Sequence, residues 1–180
     1  MKNKSLLISQ VIIIFSLLVS FIYKFDISGG GAAADIKTHW RFIELLNNDF
    51  FNLFSLSAGE DYRLLHFPLH HIIFSQFNSL DNYLFTYFFL SLILPIIFYK
   101  LCRRVHSNIK KSKIILISFI ICLLPQFQSS AIWGNSHITA LIFFLLSLSN
   151  LNWGAQDDLV VNKKNIFLNL LFMALASYTR

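Results

Sequence analysis

Apolar residues are concentrated in five runs, at residues 6–23, 84–101, 114–130, 138–151 and 165–178. A helix needs about 20 apolar residues to cross a bilayer, and only helices or closed barrels satisfy their backbone groups in lipid. The pattern predicts an all-α, polytopic membrane protein with about five transmembrane helices. We expect the first to be a retained signal-anchor, and the alternative is a cleaved signal peptide, for which Ala32-Ala33-Ala34 meets the small-residue rule. Pro95 and Pro125 fall inside the second and third runs, where the missing N–H predicts a kink.

The longest region between runs is residues 26–80. From Ile36 onward its apolar residues recur at helical spacing, and charged residues occupy the other faces. This pattern predicts an amphipathic helix that lies in the membrane interface. A second short helix is expected from about Asp61 to Phe74, with Pro68 making the stretch before it kinked or non-helical. We therefore expect one or two interfacial helices here.

Composition and charge agree with a membrane location. Hydrophobic residues make up 56% of the chain and charged residues 13%, against about a quarter in soluble domains. The net charge of +6 does not indicate nucleic acid, because the cations cluster beside apolar runs. The expected location is the plasma or inner membrane, or the endoplasmic reticulum.

The distribution of Lys and Arg predicts the orientation. With a cytoplasmic N-terminus the inside carries ten of these residues and the outside five. Cytoplasmic loops are the ones enriched in Lys and Arg, so this orientation is favoured. Six of the ten lie between residues 100 and 113. This orientation places region 26–80 and a turn at residues 133–137 together on the exoplasmic side.

The exoplasmic side then collects the residues that could carry chemistry. Asp35 follows a run of glycines and alanines and is predicted as a helix N-cap, where free N–H groups favour a carboxylate. An acid near histidines and arginines suits group transfer, since the acid accepts a proton from an attacking hydroxyl and cations hold a phosphate. The candidate substrate-binding residues are His39, Trp40, Arg41, Arg63, His66, His70, Trp133, Asn135 and His137.

Other kinds of site have less support. His66 and His70 are four residues apart and could share a helical face, so a divalent metal stays open, although Pro68 disturbs the spacing and no third ligand is marked. No cofactor is assigned. The chain contains no phosphate loop, dinucleotide fingerprint or serine-nucleophile elbow. For any single histidine, packing in a helix interface is the competing interpretation.

Two segments, in this order, resemble motifs of the GT-C superfamily of polytopic membrane glycosyltransferases. The first is Ala34-Asp35-Ile36-Lys37-Thr38-His39-Trp40, similar to an acidic first-loop motif in which a His-Trp pair follows the acid. The second is Ala131-Ile132-Trp133-Gly134-Asn135-Ser136-His137, similar to a Trp-Gly-Gln-x-Asp turn of membrane mannosyltransferases. Here Asn135 replaces the Gln and His137 replaces the Asp. A third segment, Phe67-Pro68-Leu69, resembles an aromatic-Pro-Pro-Leu stretch with one proline missing.

The resemblance implies an inverting glycosyltransferase that moves a sugar from a polyprenyl-phosphate donor to a glycan or lipid acceptor, with Asp35 as base. Arg41, Arg63 and a histidine, His66 or His70, would hold the carrier phosphate, and Trp40 or Trp133 would stack on a sugar. Members of the superfamily usually have eight or more spanning helices. Residues 1–180 are therefore expected to form a single membrane domain, the N-terminal part of a larger enzyme and inactive alone.

Two non-enzymatic interpretations remain open at this stage. One is a membrane subunit of an envelope polysaccharide or glycan assembly system. The other is a transporter segment in which Asp35 and the histidines relay protons.

Overall fold

The structure is a computed structural model and describes residues 2–25, 31–48, 69–151 and 163–179. The described residues contain no β-strand and form nine α-helices with one short 3-10 segment, Ile121–Leu123. The helices are α1 (Lys2–Ile22), α2 (Gly31–Asn48), α3 (Leu69–Phe74), α4 (Leu80–Ser91), α5 (Ile93–Val105), α6 (Lys111–Ile120), α7 (Pro125–Trp133), α8 (Ser136–Ser149) and α9 (Lys163–Ser177). The prediction of an all-α protein is confirmed.

One segment of the described chain is long and apolar enough by itself to cross a membrane. It is Leu80–Val105, formed by α4 and α5 and interrupted only at Leu92. The interruption lies just before Pro95, whose ring nitrogen cannot donate to the carbonyl of Ser91 one turn earlier.

A second apolar segment is bent. Lys111–Leu123 and Pro125–Trp133 together pass the same test, but they meet at 63°. Pro125 occupies the first turn of α7, the helix position that tolerates its missing N–H best. Two further apolar stretches, Leu6–Ile22 and Ser136–Ser149, are shorter.

The core is built around α4. Tyr83, Tyr87 and Phe88 are fully buried, and the ring of Phe88 stacks on Phe21 of α1 with centroids 4.3 Å apart. Aromatic side chains bury about 150–250 Å² each, so this row supplies a large part of the apolar burial. The core also contains residues of every neighbouring helix, among them Leu17, Ile43, Leu94, Phe127 and Ile138.

The start of α2 differs from the prediction. The helix begins at Gly31, so Asp35 lies within the helix and is not its N-cap. The three residues before Asp35 are alanines, which have the highest helix propensity, and they extend the helix toward the N-terminus. The N-cap prediction was therefore wrong.

The apolar face of α2 is covered by protein. Ile36, Ile43 and Leu46 are buried, and the helix packs against α3 and α7. Lys37 and Glu44 lie on its exposed side. Of the second predicted helix, the described part is Leu69–Phe74. Residues 49–68, which include the rest of that helix, lie outside the described residues.

The turn between the third and fourth runs is shorter than predicted. The helix α7 continues to Trp133, and only Gly134 and Asn135 separate it from α8. His137 consequently lies in the first turn of α8, not in a loop. Gly134 ends α7 in the left-handed region, with φ of 67°, which reverses the chain within two residues.

Candidate functional site

A cavity of about 460 Å³ lies between α2, α7, α8 and the 3-10 segment. Asp35 borders it from α2, Asn135 from the α7–α8 connection, and His137 from the first turn of α8. Residues separated by a hundred positions thus meet at one site. The remaining lining consists of three polar and six apolar residues: Gln126, Ser129 and Ser130, and Ala32, Ile121, Leu124, Phe127, Ile138 and Leu141.

The polar groups at this cavity differ in exposure. The side chains of Asp35 and His137 are exposed, whereas Asn135 is only 4% exposed. No Lys or Arg belongs to the described lining. The cavity therefore offers one carboxylate, one imidazole and neutral polar groups, a set suited to hydroxyl groups more than to a phosphate.

Gly134 is required at its position for two reasons. Its φ of 67° lies in the region that L-residues avoid. In addition, a Cβ built at this position would approach the hydroxyl oxygen and ring carbons of Tyr83 to between 2.6 and 2.8 Å. The close approach of Tyr83 is possible only because residue 134 has no side chain.

Two tyrosines on one face of α4 hold this turn. The Tyr83 hydroxyl donates to the carbonyl oxygen of Gly134, and the Tyr87 hydroxyl donates to the carbonyl oxygen of Asn135. The tyrosines are four residues apart, so they project from successive turns of the same helical face. Their bonds position the backbone from which Asn135 and His137 reach the cavity.

A buried histidine completes the network. His70 Nε2 lies 2.9 Å from the Tyr83 hydroxyl, and His70 Nδ1 lies 3.1 Å from Thr139 Oγ1. The Tyr83 hydroxyl has one hydrogen, which it donates to Gly134, so it must accept from His70. The Tyr83 bond therefore assigns His70 to the tautomer with hydrogen on Nε2. The single Thr139 hydroxyl hydrogen has two acceptors within reach, His70 Nδ1 and the Tyr87 hydroxyl oxygen at 3.2 Å.

A pair of imidazoles joins α2 to α3. His39 Nδ1 and His71 Nε2 are hydrogen-bonded at 2.9 Å, and the two rings stack with centroids 5.1 Å apart. The ring of His70 meets both at 5.4–5.8 Å, edge-on. All three histidines are buried, so the helix that carries Asp35 is attached to α3 through a histidine cluster, which we define as His39, His70 and His71.

The surroundings of His70 oppose its protonation. Burial is the largest cause and lowers the pKa of His70 well below its usual 6.5. His71 and His39 lower this pKa further and His137 acts in the same direction, while the backbone oxygen of Gly134 partly offsets them. His70 is therefore neutral at neutral pH, in agreement with the tautomer that its hydrogen bonds require.

The other predicted site residues lie away from the cavity lining. The Trp40 indole N–H donates to Glu44 Oε1 at 2.6 Å, and Arg41 is on the exposed side of α2. Trp133 is half-buried, with the ammonium of Lys24 5.7 Å from its ring centroid. His39 and His70 belong to the buried cluster. Arg63 and His66 lie outside the described residues.

Within the described ranges, no group of three His, Cys, Asp or Glu side chains is arranged to hold a metal ion. The two nitrogens of His70 face Tyr83 and Thr139, and the facing nitrogens of His39 and His71 bond each other. The predicted pair of His66 and His70 is not tested, since His66 is not described.

Sequence reasoning did not single out Tyr83, Tyr87 or Thr139. A signal was present, because the two tyrosines are spaced by four residues in an otherwise apolar run, where each hydroxyl needs a buried partner. The identity of the partners, two backbone carbonyls about fifty residues away, could not be read from that spacing.

Comparison with known protein families, curated proteins and solved structures finds no match. The fold and the site by themselves define a helical protein with a segment apolar and long enough to cross a membrane. They also define a cavity where an acid, an amide and an imidazole meet.

Proposed function

We propose that the protein is a multi-pass membrane glycosyltransferase that transfers a sugar from a polyprenyl-phosphate donor to a glycan or lipid acceptor. The observation that carries the proposal is the shared cavity of Asp35, Asn135 and His137. These are residues of the two segments that resemble the motifs of the GT-C superfamily, and the fold brings them together across a hundred positions.

In this mechanism the Asp35 carboxylate is the base. It accepts the proton of the acceptor hydroxyl as the oxygen attacks the anomeric carbon of the donor sugar. The bond from that carbon to the phosphate oxygen breaks on the opposite side, and the electron pair leaves with the phosphate, so the configuration inverts. The exposed carboxylate borders the cavity, and an acceptor can reach it from outside.

A second cavity supports a lipid-linked donor. It has a volume of about 630 Å³, lies between α8 and α9, and shares His137 and Leu141 with the first cavity. Its lining is largely apolar and includes Phe144 and Met173. In the proposal, the isoprenoid chain lies in this cleft, and His137 stands between the chain and the sugar.

The described cavity lining contains no Lys or Arg, so the cations that bind the carrier phosphate must come from outside it. Arg41 lies six residues after Asp35, roughly 9 Å farther along α2 and on a different face. In the proposal, Arg41, Arg63 and His66 meet the phosphate.

Multi-pass insertion with a cytoplasmic N-terminus is part of the same proposal. Large apolar side chains on α1 and α9, such as Phe15 and Leu170, are each 63% exposed within the described protein, which suits lipid-facing helices. The two ends of the helix bundle also differ in the polar residues that they carry, which supports the orientation expected from the Lys and Arg count. Arg104 donates to the carbonyl of Ser149 at the basic end, whereas Asp35 and Asn135 meet at the other.

The test is sugar transfer by membranes that contain the full-length protein. Labelled polyprenyl-phosphate sugars are supplied with candidate acceptors, and Asp35→Asn is compared with the wild type. Loss of a base costs about 10²–10⁴-fold in rate. Asp81→Asn, an exposed acid on α4 away from the cavity, is the matched control and should transfer normally. Transfer by Asp35→Asn at the wild-type rate would exclude the assigned base.

The histidine cluster favours one competing function, a transporter segment that relays protons. The His39–His71 hydrogen bond and the adjacent His70 form a buried chain of imidazoles. Proton uptake into vesicles that depends on His39 and His71, with no sugar transfer, would support the relay. An assembly subunit without either activity remains the third interpretation.

A further inference from the structure

The connection between α5 and α6 is strongly cationic. No Asp or Glu occurs from Asn82 to Gln156, while six Lys or Arg residues lie between positions 100 and 113. We call residues 100–113 the basic hairpin. Five of its six cationic side chains are exposed, and the sixth, Arg103, is half-buried. The sequence therefore provides no acidic neighbour within the hairpin or its adjoining helices.

The two arginines of the hairpin bind backbone oxygens. Arg103 Nη1 donates to the carbonyl of Ile109 at 2.9 Å, which closes the loop, and Arg104 donates to the carbonyl of Ser149 on α8. The carbonyl acceptors are neutral, so these hydrogen bonds satisfy the N–H groups without removing the positive charges. The hairpin is thus held in one shape without losing its charge.

Three lysines surround the start of α6. Lys110 precedes the helix, no side chain caps it, and Lys111 and Lys113 lie in its first turn. Cations near a helix N-terminus oppose the helix dipole, so these lysines weaken α6. Their position is explained better by a negatively charged partner outside the protein than by the stability of the helix.

We propose that the basic hairpin binds the headgroups of anionic phospholipids at the membrane surface from which it emerges. It begins in the last turns of the apolar segment Leu80–Val105 and continues past its end, so its lysines stand at headgroup level when that segment spans the bilayer. The inference rests on the membrane placement proposed above and not on the transfer chemistry. Loss of lipid binding would leave the Asp35→Asn result unchanged.

The test is a lipid titration of the full chain in a neutral detergent. Dioctanoyl phosphatidylglycerol is compared with dioctanoyl phosphatidylcholine, and apparent affinities are obtained from the shift in unfolding temperature. Each lysine near an anionic surface contributes about fivefold in affinity, so Lys110→Gln/Lys111→Gln/Lys113→Gln should bind phosphatidylglycerol roughly a hundredfold more weakly. Without lipid, the triple variant should unfold at the same or a higher temperature.

The control is Lys24→Gln/Lys37→Gln, which removes two positive charges away from the hairpin and should keep the preference for phosphatidylglycerol. For the wild type alone, 1 M salt should abolish the preference, because the screening length falls from about 10 Å at 0.1 M to about 3 Å. Equal effects of the two lipids would overturn the proposal, as would an equal effect of glycerol phosphate. Destabilisation of the triple variant without lipid would show that the lysines pair with acids of the protein, and it would also overturn the proposal.

Discussion

The hydroxyl of Tyr83 donates to the carbonyl oxygen of Gly134, and the ring of Tyr83 occupies the space where a side chain of residue 134 would begin. The contact joins the first turn of α4 to the turn between α7 and α8. Because Asn135 follows Gly134 directly, the position of one tyrosine decides where the amide meets the cavity. A glycine and a tyrosine fifty-one residues apart thus act as one structural unit.

Gly134→Ala should destabilise the protein. A left-handed conformation costs an alanine about 1–2 kcal/mol, and the collision with Tyr83 adds about 1–3 kcal/mol of overpacking. Denaturant unfolding in detergent measures the sum. Gly134→Asn separates the two causes, since asparagine tolerates a positive φ but still meets Tyr83. If Gly134→Asn were as stable as the wild type, the result would contradict the claim that Tyr83 leaves no room for a side chain at residue 134.

Tyr83→Phe keeps the ring and removes the hydroxyl, so the Gly134 carbonyl and the His70 Nε2–H lose a partner. An unsatisfied buried group costs about 1–3 kcal/mol, and two groups are affected. We expect a loss of about 2–5 kcal/mol in the free energy of unfolding. Tyr23→Phe is the control, because Tyr23 is 78% exposed.

Nitrogen NMR of labelled histidine gives an independent check of the same network. His70 should show hydrogen on Nε2 in the wild type at neutral pH, and Tyr83→Phe should allow the other tautomer to appear. Hydrogen on Nδ1 in the wild type would contradict the Tyr83–Gly134 hydrogen bond, because the Tyr83 hydroxyl would then donate to His70 Nε2 instead.

Stability should fall in mild acid. The pKa of His70 in the folded state is lower than its usual 6.5, so below that pH the unfolded chain binds a proton that the folded protein does not. The free energy of unfolding then decreases as the pH falls, by up to about 1.4 kcal/mol per pH unit for this histidine. The loss begins near pH 6.5 and continues until the folded protein itself binds the proton.

Unfolding measured between pH 8 and pH 4 tests this prediction. His70→Gln should unfold more easily at pH 8, because it loses ring hydrogen bonds, but it should show a shallower decline in acid. His106→Gln removes an exposed histidine and should leave the decline unchanged. An identical slope in His70→Gln and the wild type would refute the neutral state of His70.

Asn169→Leu should loosen α9 from α8. The side-chain amide of Asn169 donates to the backbone carbonyl of Ser147 at 2.9 Å and to its hydroxyl at 2.8 Å. Ser147 Oγ donates to the backbone carbonyl of Asn169 at 3.0 Å. An intramolecular hydrogen bond contributes about 0.5–1.5 kcal/mol net to stability. We expect a loss of about 1–2 kcal/mol in thermal or denaturant unfolding.

Ser177→Ala on the same helix is the control, because Ser177 Oγ donates only to the carbonyl of Met173 within α9. The distance distribution between a spin label on α8 and one on α9 should also become broader in Asn169→Leu. Unchanged stability together with an unchanged label distance would show that apolar packing alone holds α9.

The local pattern of apolar residues and prolines was sufficient to predict where most of the helices lie. Apolar runs indicated the segments that became α1, α4–α5, α6–α7, α8 and α9, and Pro95 and Pro125 marked the two interruptions. These features depend on neighbours within a few residues, because helix propensity and a missing N–H act locally. The start of α2 was misplaced for the same local reason, since the helix-forming alanines before Asp35 were read as part of a loop.

One part of the candidate site could be predicted from the sequence, and the other part is apparent only in the tertiary structure. The Lys and Arg count predicts that Asp35, Asn135 and His137 lie on one side of a membrane, and the motifs that resemble GT-C enzymes single them out. Neither signal indicates Tyr83, Tyr87 or Thr139. Those residues carry no motif, and their importance comes from carbonyl groups that approach them only after α4 packs against α7 and α8.

The amino-acid sequence alone therefore determined a chain of apolar helices with a cationic hairpin and an acid-bearing segment, because composition and periodicity act through the nearest turns of the chain. Only the tertiary structure decided which polar groups meet. It buried His39 against His71, and it placed Tyr83 against Gly134 and Asp35 at the cavity of Asn135. Such pairings depend on how whole helices pack, and packing is set by the shapes of many side chains together.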